Sequence, residues 1–314
     1  MNDSARTEKE IAALLRSGGG NGAARAAVES SRRRLEEISR IDALSGVVEV
    51  GSGVELGRIE RELRPRELSL GPLSPAMAGL EVGRFLEGPY AGLRALPGGA
   101  LESSCIALTA IMPDGLRYVS RPSPRSATGP DLDALFLGGE GRFGVITSAT
   151  LRLFGRPRTE RWATFNFGSV DRAIGFMRSA VGSGAWLRAA ALARQGDRIS
   201  VGLEMIGLPE AVERDLATVG HEAAARGARS SGRDLDPEAP VDRAERELSW
   251  EQLGQAIGAG TRLRCWRLAL ESVVVAGADE WGISLSPGGA WANREVLTAA
   301  LAVADPRRVL GGVP

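Results

Sequence analysis

The stretch SATGPDLDALFLGGEGRFGVITSATLRLF, residues 126–154, decides the fold of this chain. It places a glycine-rich acidic loop, residues 138–141, directly before a β-branched run that is typical of a strand. Glycines this dense let the backbone approach a flat ligand closely, and they adopt positive φ without steric cost. The residues after the loop, 143–147, would line that approach with backbone N–H and C=O groups. The stretch therefore predicts a ligand-contacting loop that leads into a long strand over residues 143–154.

The composition excludes several classes of protein. The 39 lysines and arginines balance the 39 aspartates and glutamates, so no overall charge favours nucleic acid. The densest basic cluster, Arg32-Arg33-Arg34, is followed by glutamates and is typical of a solvated helix face. Two cysteines, Cys105 and Cys265, are too few for a disulfide framework and indicate a reducing compartment. No window is apolar over a membrane-spanning length, so we expect a cytoplasmic protein without direct membrane insertion.

A second glycine-rich segment, LEVGRFLEGPYAGLRALPGGALESS, covers residues 80–104. An apolar strand over residues 105–112, a Pro-Asp-Gly turn and a return strand over residues 116–120 follow it. Long irregular connections of this kind usually carry function in compact domains. Glycine content alone is equally compatible with a surface loop that binds no ligand. The order and spacing of the segments favour a ligand-binding role.

In this order, the two segments resemble those of the FAD-linked oxidases of the vanillyl-alcohol oxidase and p-cresol methylhydroxylase type. Within that family the likeness is to the branch with glycolate oxidase, D-lactate dehydrogenase and alkylglycerone-phosphate synthase. It covers residues 40–155 well, and extends more weakly over residues 199–226 and over the tail ADPRRVLGGVP. The chain departs from the family pattern at Arg84, where a second glycine is usual, and at Ser103, where Asp is usual. Glu87 stands where hydroxyl side chains are common, so some side-chain hydrogen bonds to a cofactor would be missing.

The resemblance implies FAD as the cofactor. Binding would be non-covalent, because neither His221 nor either cysteine lies in a flavin-contacting segment. Arg94 could neutralise a phosphate or a substrate carboxylate, and Tyr90 could face the flavin. The residues that the resemblance implies for FAD contact are Gly18, Gly19, Gly20, Asn21, Gly83, Gly92, Arg94, Glu102, Gly138, Gly139, Glu140, Gly141, Gly144, Val145 and Ile146.

A third glycine-rich segment, Arg16 to Gly22, allows more than one interpretation. It could be a remnant of the family's pyrophosphate loop, whose successive N–H groups form an anion-binding concavity. It could equally be a flexible linker between two helices. Its glycines also satisfy the spacing Gly-x-Gly-x-x-Ala of a nicotinamide site. Such a site needs a strand immediately before the motif, whereas residues 10–16 have a helical pattern.

The pattern of elements predicts an α+β protein with two domains. The resemblance implies a p-cresol methylhydroxylase-type FAD-binding domain over residues 1–155, whose first subdomain, residues 1–42, is truncated. Residues 156–303 would form a reduced α+β cap or substrate domain, an antiparallel sheet with helices on one face. Residues 304–314 would return to the FAD domain. Among the individual elements, we expect helices over residues 23–38 and 244–257.

Groups that could catalyse a reaction are scarce in the sequence. His221, the only histidine, lies in a predicted helix over residues 209–226 and is typical of a solvent-facing or rim position. No metal site is expected, and no catalytic residue can be assigned.

The resemblance implies an FAD-binding oxidoreductase, or a flavin-binding subunit of one. It would oxidise an alcohol or a 2-hydroxy acid by hydride transfer to flavin. Its partners would be a small-molecule hydroxy substrate and a possible partner redox subunit. The alternative is a non-catalytic paralogue that keeps the fold as an assembly subunit, which the short front end and the scarcity of histidine favour.

Overall fold

The computed structural model describes residues 3–17, 22–71, 73, 75–88, 104–123, 131–231, 235, 245–258, 262–268 and 272–276. Several predicted features lie outside these residues. They are the glycine loop Gly18, Gly19, Gly20 and Asn21, the cofactor candidates Tyr90, Gly92, Arg94 and Glu102, and residues 277–314.

The elements alternate between helices and short antiparallel strands along the chain. The helices are α1 (Asp3–Arg16), α2 (Gly22–Arg33), α3 (Leu56–Leu63), α4 (Pro75–Ala78), α5 (Val82–Glu87), α6 (Asp133–Phe136), α7 (Val170–Gly182), α8 (Pro209–Ala225) and α9 (Trp250–Ala256), with a 3-10 turn at Arg64–Arg66. The strands are β1 (Ile38–Asp42), β2 (Val47–Gly51), β3 (Leu68–Ser69), β4 (Cys105–Ile111), β5 (Arg117–Val119), β6 (Val145–Arg152), β7 (Phe154–Gly155), β8 (Thr159–Phe167), β9 (Leu187–Gln195), β10 (Arg198–Gly207), β11 (Arg229–Ser230), β12 (Glu245–Ser249), β13 (Arg262–Leu268) and β14 (Ser272–Ala276).

The first sheet is antiparallel and has the order β1-β2-β6-β4-β5. Its central strand is β6, which pairs with β2 and β4. Helix α3 covers it because Leu56, Ile59 and Leu63 recur at helical spacing and are all fully buried. Phe85 of α5 lies in the same core. The predicted hairpin of β4 and β5 is present, with a turn at the predicted Pro-Asp-Gly.

The helical pair α1–α2 packs against the same sheet. Ile11 and Leu15 of α1 form a small core with Leu35, Ile111 and Val145. Since α1 ends at Arg16, the residues immediately before the glycine motif are helical and not a strand. This arrangement removes the structural condition for a nicotinamide-binding motif at this place.

The second sheet has the order β11-β8-β10-β9-β13-β14-β12, and all its pairings are antiparallel. Alternate residues of β8 and β10, such as Phe165 and Leu203, point into a core shared with α7, α8 and α9. The predicted antiparallel sheet with helices on one face is therefore present. Strands β9, β11, β12 and β14 of this sheet were not predicted. The exact domain boundaries stay predictions.

Three predicted elements were wrong in extent. The helix expected over residues 23–38 ends at Arg33, because Ile38 already begins β1 and pairs with Val50. The helix expected over residues 244–257 begins only at Trp250. There Ser249 forms a capping box with Gln252, and residues 245–249 pair with β14 instead. The long strand expected over residues 143–154 is divided, because β6 and β7 pair in different sheets.

Gly144, next to β6, tests how tightly this core is packed. A Cβ added there would lie 2.7 Å from Phe136 Cε1 and 2.8 Å from the Ile111 carbonyl oxygen. We therefore expect Gly144→Ala to lower the free energy of unfolding by about 1–3 kcal/mol, as overpacking does. Gly155→Ala is the control, because nothing lies within 4 Å of its added Cβ. Equal thermal unfolding midpoints for the two variants would contradict this packing.

Candidate functional site

Residues that the sequence predicted for cofactor contact meet around a buried ion pair between Arg32 and Glu87. The Glu87 Oε1 atom accepts a hydrogen bond from the Ile146 N–H at 2.8 Å. Its Oε2 atom accepts from Arg32 Nη1 at 2.7 Å. A Cβ on Gly83 would lie 3.1 Å from Arg32 Nη1, and one on Gly141 would lie 3.5 Å from Glu87 Oε2. Three segments distant in sequence therefore reach one place, as the resemblance implies.

Helix α5 brings Gly83 and Glu87 into this site. Its first N–H groups donate to the loop after β2, from Val82 to the Val54 carbonyl and from Gly83 to the Ser52 carbonyl, each at 2.8 Å. A Cβ on Gly83 would lie 3.0 Å from Ser52 Cβ, so the two backbones approach closely. Glu87 is the last residue of α5, and from there its carboxyl reaches the start of β6. Arg84, which stands where a second glycine is usual in the family, is the third residue of this short helix.

The acidic glycine loop is bound to the end of α5. The Gly138 N–H donates to the Leu86 carbonyl at 2.8 Å, and the Glu140 N–H donates to the Glu87 carbonyl at 2.7 Å. Positive φ occurs at Gly138, Glu140 and Gly141, with values of 71°, 53° and 69°. The predicted use of glycine for positive φ is therefore confirmed at Gly138 and Gly141. A ligand contact by this loop stays a prediction.

Two glycines of the segment are required by packing alone. A Cβ on Gly139 would lie 2.4 Å from the Leu135 carbonyl oxygen, and Gly144 is enclosed as described above. Val145 is buried and packs with α1, while its neighbour Ile146 lies in the core of the first sheet. Gly139, Gly144 and Val145 thus have structural roles, whereas Gly83, Gly141 and Ile146 border the ion pair.

Arg32 is the functional candidate that the sequence interpretation missed. It was expected on a solvated helix face, and this was wrong, since its side chain is 1% exposed. Besides Glu87 it pairs with Glu29 at 2.6 Å and with Glu81 at 3.6 Å. A signal was available, because Val28, Arg32 and Leu35 recur at helical spacing and all three are buried. Arg33 follows the prediction and is 61% exposed.

Orphaned polar atoms beside the ion pair fit a phosphate ligand. Arg32 Nε and Ser52 Oγ are both buried and have no hydrogen-bond partner among the described residues. Buried donors without partners are costly, and native structures rarely retain them without a reason. Both are donors on residues that lie against Gly83, so acceptor oxygens that reached them would satisfy them. The Glu81 Oε2 atom, 3.6 Å from Arg32 Nη2, is also buried without a hydrogen-bond partner, and it is an acceptor. The described half of the predicted FAD site therefore suits the diphosphate of a dinucleotide in its chemistry.

Burial controls the electrostatics of the site. It raises the pKa of Glu87 to about 7, although Arg32 and the Ile146 N–H oppose the rise and Glu29 adds to it. The carboxyl therefore changes charge near neutral pH while it contacts three segments of the site. Elsewhere, burial raises the pKa of Cys265 to about 12, so its thiol stays protonated, and His221 lies exposed on α8.

Two further functional features are absent from the described residues. No group of three or more His, Cys, Asp or Glu side chains is placed to hold a metal ion within the described ranges. No helix in the same residues has the length and apolar character needed to span a membrane.

Comparisons with known proteins point to one family. The chain is 24% identical to an alkyldihydroxyacetonephosphate synthase of Caenorhabditis elegans over 154 residues, 49% of this chain and 26% of that protein. It is 30% identical to a D-lactate dehydrogenase of Archaeoglobus fulgidus over 174 residues, 53% of this chain and 39% of that protein. The chain thus matches well under half of the length of these relatives. No family model matches it.

Solved structures share the fold. An alkyldihydroxyacetonephosphate synthase superposes with a TM-score of 0.66 at 16% identity, covering 88% of this chain and 65% of the other. p-Cresol methylhydroxylase with bound substrate superposes with a TM-score of 0.62 at 13% identity, covering 88% and 77%. The chain is similar in part of its sequence and in its fold to the FAD-linked oxidases. The p-cresol methylhydroxylase-type fold that the resemblance implied is confirmed, and FAD is the cofactor of this family.

The raised pKa of Glu87 predicts a pH-dependent stability. In the unfolded chain the carboxyl titrates near 4.5, and in the folded protein near 7, so the folded state holds the proton more tightly. The free energy of unfolding should therefore fall as the pH rises from about 4.5 to about 7, and level off above that. At about 1.4 kcal/mol per pH unit, the difference between the two pKa values corresponds to about 3 kcal/mol.

Urea unfolding at several pH values measures this effect. Glu87→Gln should remove the Glu87 part of the slope, while Glu49→Gln, which changes a half-exposed carboxyl on β2, should leave the slope unchanged. The altered ion pair can also change the absolute free energy of unfolding of Glu87→Gln, so the slope with pH, and not the absolute value, tests the assignment. Parallel curves for wild type and Glu87→Gln would contradict the assignment.

Proposed function

We propose that the chain is an FAD-dependent oxidoreductase, or the flavin-binding subunit of one, which oxidises an alcohol or a 2-hydroxy acid. The observation that carries this proposal is the convergence of Gly83, Gly141 and Ile146 beside the orphaned donors of Arg32 and Ser52. Its sequence similarity to a D-lactate dehydrogenase, across 53% of the chain, supports an oxidation of this class. When bound, the flavin supplies a hydride acceptor.

The chain's own residues would hold the dinucleotide in three ways. Arg32 and Ser52 would donate to the diphosphate, since both have buried donor groups without partners. Gly83 and Gly141 would allow the ligand to approach the backbone closely. The Ile146 N–H would donate to the ligand once Glu87 releases it. The contacts assigned to Gly18, Gly19, Gly20, Asn21, Gly92, Arg94 and Glu102 stay predictions.

The domain plan follows from the same proposal. Residues 1–155 would form the FAD-binding domain, with residues 1–42 as its first subdomain. Residues 156–303 would form the cap that selects the small hydroxy substrate. A partner redox subunit would receive the electrons, and a cytoplasmic location stays a prediction.

One observation favours a second function, that of a non-catalytic assembly subunit. Glu87 occupies donors that the cofactor would need, and no histidine lies among the described residues of the site. A protein that keeps this fold without a cofactor would be stabilised by such an internal pair.

The visible spectrum of the purified protein, after incubation with FAD and desalting, distinguishes the two functions. We expect flavin absorption bands with one FAD per chain, because the site offers donors for one diphosphate. Acid precipitation should release the flavin into the supernatant, since no cysteine or histidine of the described site is placed to bond it. Anaerobic addition of a series of 2-hydroxy acids should then bleach the bands for the true substrate. A folded protein that stays colourless would support the assembly subunit.

A further inference from the structure

Glu87 holds the two donors that an anionic ligand of this site would use. Its two oxygens lie on different donors, the Ile146 N–H and Arg32 Nη1, and both hydrogen bonds are buried. Two oxygens that share a negative charge are also what a phosphate group presents to an arginine and a backbone amide. The carboxylate therefore matches part of a phosphate in charge and in acceptor geometry.

The neighbouring donors are arranged for more than a carboxylate. Arg32 carries five N–H donors in a planar fork, and its Nε–H has no partner although the side chain is 1% exposed. The Ser52 hydroxyl, fully buried across Gly83, has no partner either. Glu87 leaves both unsatisfied. A ligand with more oxygens than one carboxylate, such as a diphosphate, could reach all of these donors.

We propose that Glu87 is an internal stand-in for the diphosphate of FAD, holding Arg32 and the Ile146 N–H until the dinucleotide displaces it. The proposal rests on the proposed function, because it requires that the chain bind FAD. Arg32 and Ser52 are then diphosphate-binding residues of this chain. Glu87 then competes with FAD for Arg32 and the Ile146 N–H, so its protonation makes FAD affinity depend on pH.

The charges around Glu87 decide what happens to its proton. Arg32 is the cation in contact with it, and Glu29 is the nearest carboxylate of α2 that raises its pKa. Glu140 and Arg142 in the glycine loop neutralise each other at 2.7 Å, and Glu8 of α1 is paired with Arg117. Other charged groups on or next to the adjoining elements are Arg33 on α2, Glu81 at the N-cap of α5, Arg84 on α5, Glu49 on β2 and Arg152 on β6.

Displacement of Glu87 by FAD should take up a proton. When Arg32 turns to the diphosphate, the Glu87 carboxylate loses its cation and gains phosphate charges as neighbours, so its pKa rises above about 7. The proton comes from solvent and bonds to the carboxylate. FAD affinity should therefore be constant below about pH 7 and decrease above it, by up to about tenfold per pH unit.

Fluorescence titration of the full chain with FAD between about pH 6 and about pH 9 tests this dependence, with no need for turnover. In Glu87→Gln the competitor is neutral and cannot titrate, so we expect tighter binding at high pH, by about tenfold or more, and a flat profile. The control Glu49→Gln removes a carboxyl of the same sheet outside the site and should keep the wild-type profile.

A second pair of variants tests the role of Arg32. Arg32→Lys keeps the charge and loses the fork, so FAD should bind at least about tenfold more weakly. Riboflavin, which has no diphosphate, should bind both proteins equally. The control is Arg34→Lys, immediately after the end of α2 and 46% exposed, which should bind FAD as the wild type does. Circular dichroism shows whether each variant is folded.

The outcomes separate the two proposals. FAD binding by the wild type with an affinity independent of pH, or equal profiles for wild type and Glu87→Gln, would overturn the stand-in role and leave the proposed function intact. Equal losses of FAD and riboflavin in Arg32→Lys would likewise remove Arg32 from the diphosphate site. Failure of wild type and Glu87→Gln to bind FAD at any pH would overturn both proposals.

Discussion

The buried ion pair between Arg32 and Glu87 is the constraint around which the first domain is organised. Transferring the guanidinium of Arg32 and the carboxylate of Glu87 out of water costs several kcal/mol per ion, and only close pairing offsets this. The structure supplies that pairing through Glu29 on the same helix, Glu81 at the N-cap of α5 and Glu87 on α5, while the Ile146 N–H donates to Glu87. Such a pair contributes little net stability, but it fixes which segments must lie together.

The ion pair links the front end of the chain to the glycine-rich motifs. Helix α2 contributes Arg32, α5 contributes Glu87, and the glycine loop is bonded to the end of α5 through the Leu86 and Glu87 carbonyls. On the other side of β6, Glu8 of α1 accepts from the Thr147 hydroxyl at 2.7 Å. The first 33 residues are therefore attached to the predicted cofactor segment by polar contacts as well as by their apolar face. Helices α1 and α2 are thus an integral part of this site.

The sequence alone predicted the family and most of the first domain, because glycine-rich segments and β-branched runs report local backbone requirements. The β4–β5 hairpin was predicted on that basis. The sequence did not predict β9, since its run Leu187–Gln195 is rich in alanine, which has no strand preference of its own. It also placed the helix of residues 244–257 too early, because the strand β12 exists only through its pairing with β14, a contact between distant residues.

The site shows the same division between local and non-local information. The sequence indicated a surface position for Arg32, because its neighbours in sequence are charged. Only the burial of Val28 and Leu35, which recur with it at helical spacing, shows that its side chain points into the protein. The competing role of Glu87 depends on Ile146, 59 residues away, and could not be read from either segment alone.

Not every glycine of residues 138–144 is evidence for a bound cofactor. Gly139 and Gly144 are needed by the fold whether or not FAD binds, since a side chain there would meet the Leu135 carbonyl or the Phe136 ring. A non-catalytic paralogue would need them as well. Gly141 is different, because its nearest non-adjacent neighbour is the Glu87 carboxylate itself. Arg32 Nε and Ser52 Oγ give a second argument for a ligand. The Glu87 carboxylate leaves both donors without a hydrogen-bond partner, whereas a diphosphate could accept from them. These features bear on the choice between a flavoprotein and an assembly subunit, and they favour the flavoprotein.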